Sequence, residues 1–340
     1  MSLRIEIIPA FELIGAALNY SFRNEDSENR IFTSRSIIRW RKKVEAEISP
    51  FLSSDIEGLF KFHLPVSFLQ GVALRFDLNT PEDLLEWLAS QHVLSAKQLI
   101  LELSDLQGFD PASIDEKAVR EKLENIESLF HSSIDEEAAV VMYALEYTEA
   151  FLRRLYTALS DFYDFFVREE LPQALSLLEE KQKEHQSVLN ERADTFLNRI
   201  TLDNYGSLYS PEEEIRIVIS YFANRFLTLH TSFYKLIVYG IDMDQRLSGL
   251  DTPGEVDNFL KALADPKRTA IMRLLKRRQW YGKELADHFS LTTATMSYHL
   301  EKLLSSRLIQ FETAEKNRIL YSINRKGMEE MLQLMREDFL

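Results

Sequence analysis

The sequence predicts a mainly α protein, with a large helical N-terminal domain that includes a small β element and a C-terminal α+β domain. Three observations predict this architecture. No glycine or proline lies between Pro111 and Pro172, which favours helices. Two later segments are rich in β-branched and aromatic residues, which favours strands. Near the end, two short helical patterns flank a turn and precede a predicted hairpin.

Composition limits the possible functions of the 340 residues. The length allows two domains with buried cores. Cysteine is absent, which excludes disulfides, thiolate metal sites and a cysteine nucleophile. The N-terminal segment is too short and too interrupted for a signal peptide, and no run of eighteen apolar residues occurs. We therefore expect a soluble, cytoplasmic protein that has no membrane partner.

The charge is unevenly divided along the chain. Residues 255–340 contain 15 Lys and Arg against 12 Asp and Glu, a net charge of +3, so the total of −14 leaves −17 for the remainder. The acidic residues before residue 255 repel DNA, so any DNA contact is expected on the basic C-terminal part. Each candidate phosphate ligand could equally be a solvated surface charge. The candidates are Lys267, Arg268, Lys276, Arg277, Arg278, Lys283, Lys302, Lys316 and Arg318.

Helical patterns dominate the first 200 residues. The run from Ile5 to Tyr20, broken by Pro9, predicts a short extended lead into a helix. Thr80, followed by proline and two acidic residues, predicts a helix start. Other helices are expected from Ser34 to before Pro50, over Ser53–Phe62, as one or two helices over Leu84–Leu103, as one long helix from Ser132 or Ser133 to about Glu170, and over Gln173–Arg199.

A small sheet and a linker are predicted next. Glu214–Ser220 and Ser232–Ile241 have the composition of strands, which we expect to pack on the helices. Serine, glycine, threonine and proline concentrate in residues 245–254, which predicts a linker. The predicted domains are therefore 1–244, for sensing or assembly, and 255–340.

Residues 283–306 predict two helices joined by a turn. Lys283–His288 is the first helix and Thr292–Ser306 the second, with Thr292 as its N-cap. One apolar stripe on the second helix contains Met296, Leu300, Leu303 and Leu304. The opposite side carries Ala294, Ser297 and Tyr298, flanked by Thr293 and Thr295. Such residues suit a recognition helix in the major groove.

A hairpin is predicted directly after this second helix. Leu308–Thr313 and Arg318–Asn324 are its strands, and Lys316 and Arg318 are basic residues at its tip. A final helix is expected over Arg325–Leu340. Short helix pairs occur in many helical proteins, but the added hairpin favours a winged helix-turn-helix domain that binds double-stranded DNA.

This stretch resembles the ArsR family of bacterial transcriptional regulators. VDNFLKALADPKRTAIMRLLKRRQ, GKELADHF, LTTATMSYHLEKLLSSRLI and the wing follow the family pattern in order over residues 255–340. The resemblance implies that Thr292 is the N-cap and that Thr293, Ser297, Tyr298 and His299 face DNA. It further implies a repressor that dimerises through the last helix. The predicted DNA-binding set is Thr292, Thr293, Ala294, Thr295, Ser297, Tyr298, His299, Lys302, Lys316 and Arg318.

Three details qualify the resemblance. His299 lies at the margin of the apolar stripe, where a partly buried, hydrogen-bonded histidine is an equal alternative. Ser290 and Arg307 occupy positions where the family usually or often has glycine. The chain lacks the cysteines, and its last helix lacks the histidine, through which family members coordinate metals. We therefore expect neither metal sensing at those sites nor a cofactor.

The N-terminal domain contains no motif typical of an enzyme, so we expect no catalytic activity. Its aromatic residues at helical spacing fit a core better than a ligand site. They could nevertheless form an apolar effector site, with Tyr143 and Tyr147 as its wall and Arg153 and Arg154 to pair with an anion. The alternative is a domain that needs no effector and docks a protein partner.

Overall fold

The computed structural model describes residues 3–23, 35–104, 106, 114–123, 133–201, 215–223, 227–230, 235–241, 255–314 and 318–339. These residues form two compact units. The first contains the described residues of 1–24, 34–187 and 211–241, and the second contains those of 188–210 and 242–340. The predicted linker, 245–254, lies outside the described residues, so the predicted domain boundaries stay a prediction.

Helices make up most of the chain before residue 201. They are α1 (Pro9–Ser21), α2 (Arg35–Glu47), α3 (Pro50–Phe60), α4 (His63–Arg75), α5 (Pro81–Ala89), α6 (Val93–Leu103), α7 (Glu116–Leu123), α8 (Ile134–Glu146), α9 (Thr148–Phe162), a π-helical turn (Tyr163–Val167), α10 (Leu171–Glu191) and α11 (Ala193–Ile200). The mainly α prediction is therefore confirmed.

Two predicted helix starts are confirmed by their capping bonds. The Thr80 hydroxyl accepts a hydrogen bond from the Asp83 amide at 3.1 Å, and the Asp83 carboxylate accepts one from the Thr80 amide at 3.1 Å. Ser133 and Glu136 form the same reciprocal capping box at the start of α8. Each of these bonds satisfies an amide that the first helical turn leaves without a partner.

The single long helix predicted up to Glu170 is wrong. The backbone leaves the helical region at Tyr147, where φ is −114° and ψ is 48°. The Thr148 hydroxyl then donates to the Ala144 carbonyl at 2.7 Å, which is a side-chain bond that competes with the backbone helix bond. The helix predicted over Gln173–Arg199 is likewise divided, because Arg192 separates α10 from α11.

The first unit contains a four-stranded mixed sheet. Its strands are β1 (Ile5–Glu6), β2 (Ile215–Ser220), β3 (Leu227–His230) and β4 (Lys235–Gly240), in the order β1-β2-β4-β3. β1, β2 and β4 are parallel, whereas β3 is antiparallel to β4. The two predicted strands are confirmed within the described residues. β1 lies in the extended lead predicted before α1, whereas β3 was not predicted.

The second unit contains the predicted helix-turn-helix and hairpin. Its elements after residue 254 are α12 (Glu255–Leu263), α13 (Pro266–Leu275), β5 (Trp280–Tyr281), α14 (Gly282–Phe289), α15 (Thr293–Ser305), β6 (Ile309–Ala314), β7 (Arg318–Ile323) and α16 (Arg325–Phe339). The strands form an antiparallel sheet in the order β5-β7-β6. The predicted winged helix-turn-helix fold is confirmed.

Each unit has its own apolar core. Phe11, Phe68 and Phe162 are among the side chains with at most 2% exposure in the core of the first unit. In the second unit, Leu285 from α14 and Leu303 from α15 are completely buried. The core of the second unit fixes the face that the second helix of the motif turns to solvent.

Candidate nucleic-acid interface

The helix-turn-helix is built from local hydrogen bonds at the starts of both helices. The Glu284 carboxylate accepts from the Tyr281 amide at 3.1 Å at the start of α14. The helix ends at Ser290, which has left-handed backbone angles, φ 53° and ψ 43°. Thr292 then caps α15, because its hydroxyl accepts from the Thr295 amide at 3.1 Å and lies 2.9 Å from the Thr295 hydroxyl. These bonds set the direction in which α15 leaves the turn.

The apolar stripe of α15 is buried as predicted. Met296 and Leu300 are 1% exposed, Leu303 is not exposed and Leu304 is 5% exposed. They pack in one cluster with residues of α13, α14 and the wing strands. This burial leaves Thr292, Thr293, Thr295 and Tyr298 exposed at the N-terminal part of the helix. The predicted residue Ala294 lies in the first turn of the same helix.

Tyr298 is the large aromatic side chain on this surface. It is 53% exposed. The ammonium group of Lys302 lies 5.7 Å from the centre of its ring, which is within the range of a cation–π contact. Ser297, beside it, is half-buried. The surface formed by Thr292, Thr293, Thr295, Ser297 and Tyr298 is called the recognition surface below.

His299 turns away from the recognition surface. It is only 9% exposed, and its Nδ1 atom has no hydrogen-bond partner among the described residues. Burial lowers the pKa of His299, and the nearby carboxylate of Asp265 opposes this effect only in part. The imidazole is therefore neutral near pH 7 and brings no positive charge to DNA. A direct contact between His299 and DNA stays a prediction.

Two arginines among the candidate phosphate ligands bond to backbone carbonyl oxygens. The Arg268 guanidinium donates to the carbonyl oxygens of Ala262 at 2.7 Å and Lys261 at 2.8 Å, at the end of α12. Arg278 stacks on Trp280 at 3.7 Å from the ring centre and donates to the Gln279 carbonyl. Both arginines therefore organise the domain. Lys276, Arg277 and Lys283 are exposed.

The wing is a regular antiparallel hairpin. Its register runs from Ile309 opposite Ile323 to Ala314 opposite Arg318. Arg318 thus begins β7, next to the tip. Lys316 lies outside the described residues.

Ser290 and Arg307 show why glycine suits these two positions. Both have a positive φ, 53° for Ser290 and 56° for Arg307, in the left-handed region that glycine adopts without strain. Arg307 also forms an ion pair with Glu330 of α16. A Cβ atom added to Gly327 would lie 2.5 Å from the Arg307 carbonyl oxygen, so only glycine fits at Gly327.

The structural role of Asp265 in this domain was not predicted from the sequence. The Asp265 carboxylate accepts from the amides of Lys267 at 2.8 Å and Arg268 at 3.0 Å and so caps α13. The backbone bond from Arg268 is the main reason that the pKa of Asp265 is lowered. The Asp265-Pro266 pair was the available signal, since aspartate before proline is typical of a helix start.

The four candidate effector residues lie at the surface of the first unit. Tyr143 and Tyr147 are 39% and 54% exposed, and their ring centres are 5.7 Å apart. Arg153 donates to Glu149 at 2.6 Å, and Arg154 donates to Asp55 at 3.0 Å. The structure therefore brings the tyrosines together, and it pairs each arginine with a carboxylate of the protein itself.

The first unit also buries a carboxyl group, that of Glu12 in α1. Its Oε2 atom accepts from the amides of Tyr221 at 2.9 Å and Phe222 at 3.2 Å, directly after β2. Its Oε1 atom has no partner among the described residues. Burial raises the pKa of Glu12 to about 7, although the two amides and Ser220 favour the charged form.

In the part of the chain that the structure describes, no helix is long and apolar enough to cross a membrane. No group of three or more acidic or histidine side chains within the same residues could hold a metal ion.

Comparisons with known proteins agree with this geometry. Residues 265–310 match the profile of the family described as "Bacterial regulatory protein, arsR family". The chain is 29% identical over 80 residues to the "Transcriptional repressor SdpR" of Bacillus subtilis (strain 168), which is 24% of this chain and 88% of the relative. It is 30% identical over 77 residues to the "Arsenical resistance operon repressor" of Staphylococcus xylosus, which is 22% of this chain and 71% of the relative.

A third relative bears a similar name. It is the "Arsenical resistance operon repressor" of Staphylococcus aureus, 27% identical over 79 residues, or 23% of this chain and 75% of the relative. No solved structure matches. The matched residues include the turn, α15 and the start of the wing, and on this evidence the chain belongs to the arsR family of bacterial regulatory proteins.

Proposed function

We propose that this protein is a sequence-specific, DNA-binding transcriptional repressor of the ArsR type. The main support is the recognition surface, because burial of the apolar stripe of α15 leaves threonine and tyrosine side chains exposed where such a helix meets base edges. The relatives named as repressors support the direction of regulation. The protein acts in the cytoplasm and carries out no catalytic step.

The active form is a homodimer. α16 exposes Leu332 at 57% and Phe339 at 65%, while Met331 of the same helix is buried in the core of its own unit. Exposed apolar side chains on a terminal helix suit a symmetric contact with a second copy. A dimer would place two α15 helices about 34 to 36 Å apart, so the operator is an imperfect inverted repeat.

An effector that is not held by thiolates binds the first unit and controls DNA affinity. Tyr143 and Tyr147 offer two adjacent rings with polar ends, a combination that suits an apolar acid or a related metabolite. Titration calorimetry with such acids tests this part, and loss of the binding signal in Tyr143→Ala is the expected result. No signal with any of these acids would refute the effector site.

A second candidate function is an adaptor that binds DNA without an effector and docks a protein partner. The observation in its favour is that Phe51, Leu94 and Phe165 of the first unit are 76%, 85% and 68% exposed. Single exposed apolar residues are common, so this observation weighs less than the recognition surface does. Saturable binding of a protein partner, with operator affinity unchanged by metabolites, would favour the adaptor.

Fluorescence anisotropy of the full-length protein tests the main proposal. The duplex is the DNA upstream of the gene for this chain, the control is a scrambled duplex, and the salt is near physiological. We expect a preference of about a thousandfold or more for the upstream DNA. Equal, weak and steeply salt-dependent binding to both duplexes would contradict a sequence-specific repressor.

A further inference from the structure

The recognition helix lacks most side chains that form paired hydrogen bonds with bases. Residues 290–306 contain no arginine, asparagine, glutamine or aspartate, and their charged residues are Glu301 and Lys302. Arginine and lysine bind guanine through two acceptors, and asparagine and glutamine bind adenine in the same paired way. This segment therefore has few means of reading guanine or adenine directly.

Lys302 is the one residue of the segment that could bind guanine in this way, and its ammonium group already has a neighbour. It lies 5.7 Å from the ring centre of Tyr298. Lys302 is also near the C-terminal end of α15, whereas the N-terminal residues of a recognition helix contact bases. A contact to phosphate suits Lys302 better than a contact to guanine.

The N-terminal part of α15 offers methyl groups and an aromatic ring. The hydroxyls of Thr292 and Thr295 lie 2.9 Å apart, and the Thr292 hydroxyl also accepts the Thr295 amide, so part of their hydrogen-bonding capacity is used within the first turn. Each threonine also carries a methyl group, which offers an apolar surface to a ligand. Tyr298, at 53% exposure, adds an aromatic surface, with the Lys302 ammonium group 5.7 Å from its ring centre.

In the major groove, the apolar counterpart of such a surface is the C5 methyl group of thymine, which threonine methyl and aromatic groups contact. We propose that the recognition surface selects its operator chiefly through thymine methyl groups, with Tyr298 and the threonines as specificity-determining residues. The operator half-sites are then rich in A·T pairs at the positions under the first two turns of α15. This inference rests on the proposed DNA-binding function.

The experiment begins by selecting tight-binding duplexes from a random-sequence pool with the full-length protein. Thymines of the selected half-sites are then replaced one at a time by deoxyuridine, which removes only the methyl group and keeps the base pair. We expect each contacted methyl to contribute about fourfold in affinity. Thymines outside the half-sites, replaced in the same way, are the control and should change nothing.

Variants assign the effect to Tyr298. Tyr298→Ala should bind the thymine and deoxyuridine duplexes equally at the affected position, whereas Tyr298→Phe should keep the preference for thymine because it keeps the ring. Tyr156→Ala removes a tyrosine of the first unit that is 36% exposed, and it should behave like the parent protein.

The outcomes separate this inference from the proposed function. Selection of a defined site whose affinity survives removal of every methyl group, or a site read mainly at G·C pairs, would overturn methyl recognition and leave the DNA-binding function intact. Failure to enrich any sequence, with binding governed by salt alone, would overturn both. Equal sensitivity to deoxyuridine in the parent and in Tyr298→Ala would exclude Tyr298 as the reader.

Discussion

Both units have local capping bonds, but they differ in how far apart in the sequence their other side-chain partners lie. In the second unit, the caps made by Asp265, Glu284, Thr292 and Asn324 each reach a residue two or three positions away. In the first unit, the Glu12 carboxylate bonds to an amide 209 residues away, and the Trp40 indole donates to the Phe166 carbonyl across 126 residues. Local bonds can be deduced from neighbouring residues, whereas bonds of long range require the fold.

Two buried titratable groups also give the first unit a pH dependence that composition does not suggest. Glu12 titrates at about 7 in the folded state, against an ordinary value of 4.5. Because the folded pKa is raised, the stabilising contribution is complete below pH 4.5 and is lost as the pH rises to 7. His63 acts in the opposite direction, since burial lowers its pKa to about 4 and stability is lost as the pH falls from 6.5 to 4.

Glu12→Gln isolates the first of these contributions. The unfolding free energy of the variant minus that of the parent should increase by about 3 kcal/mol as the pH rises from 4.5 to 7. Urea denaturation followed by tryptophan fluorescence measures it. A Trp280→Phe background leaves only Trp40 and Trp87, both in the first unit, as reporters. Glu149→Gln, which changes an exposed glutamate, is the control, and a difference that is constant with pH would refute the buried-carboxyl account.

A substitution on the recognition surface of the second unit should change DNA affinity instead of stability. Tyr298→Ala should weaken operator affinity by about 1 to 3 kcal/mol if the ring contacts a base. Thermal stability should change little, because the side chain is 53% exposed. Anisotropy on the selected duplex measures the first quantity and calorimetry the second. Unchanged operator affinity would remove Tyr298 from the interface.

Alanine substitutions at one glycine in each unit compare how closely the two units are packed at these positions. Gly327→Ala should destabilise the second unit by about 1 to 3 kcal/mol, because the added Cβ meets the Arg307 carbonyl oxygen and the Asn324 side chain, at 2.5 and 2.6 Å. Gly58→Ala should instead be neutral or stabilising, since its Cβ meets only the end of the long Arg154 side chain, at 3.3 Å. Calorimetry of both variants measures the difference. Equal effects would mean that the close approach at Gly327 relaxes at little cost.

Local features could be predicted from the sequence in both units, whereas features that depend on distant residues could not. The caps at Thr80 and Ser133 were predictable because the cap, the acidic residues and, at Thr80, the proline are neighbours. The helix α4 was missed because Leu64 to Ala73 is buried on all sides, which removes the amphipathic pattern. The helix end at Tyr147 was missed because it involves neither glycine nor proline.

The candidate site was predictable for a related reason. The stripe of α15 has helical periodicity, so the exposed face could be deduced as its opposite. The burial of His299 could not be deduced in this way, because a residue at the margin of the stripe is buried or exposed according to what packs beside it. The structural partners of Arg268 could not be predicted either, because they are backbone carbonyls at the end of another helix.

The smallest expected effect concerns the turn itself. Ser290 takes a left-handed conformation that costs a residue with a side chain about 1 to 2 kcal/mol. Ser290→Gly removes this cost but makes the unfolded chain more flexible, so the net gain should be about 1 kcal/mol or less. Hydrogen exchange of peptides from α14 and α15 measures it locally.

Arg307→Gly is the matched control for Ser290→Gly, because Arg307 has the same left-handed backbone conformation. It relieves the same conformation but loses the ion pair with Glu330, so its net effect should be close to zero. A gain for Ser290→Gly without one for Arg307→Gly would show that Arg307 offsets its backbone strain through Glu330. Equal gains would mean that the ion pair contributes nothing, and a loss in Ser290→Gly would mean that the serine side chain stabilises the turn by more than its conformation costs.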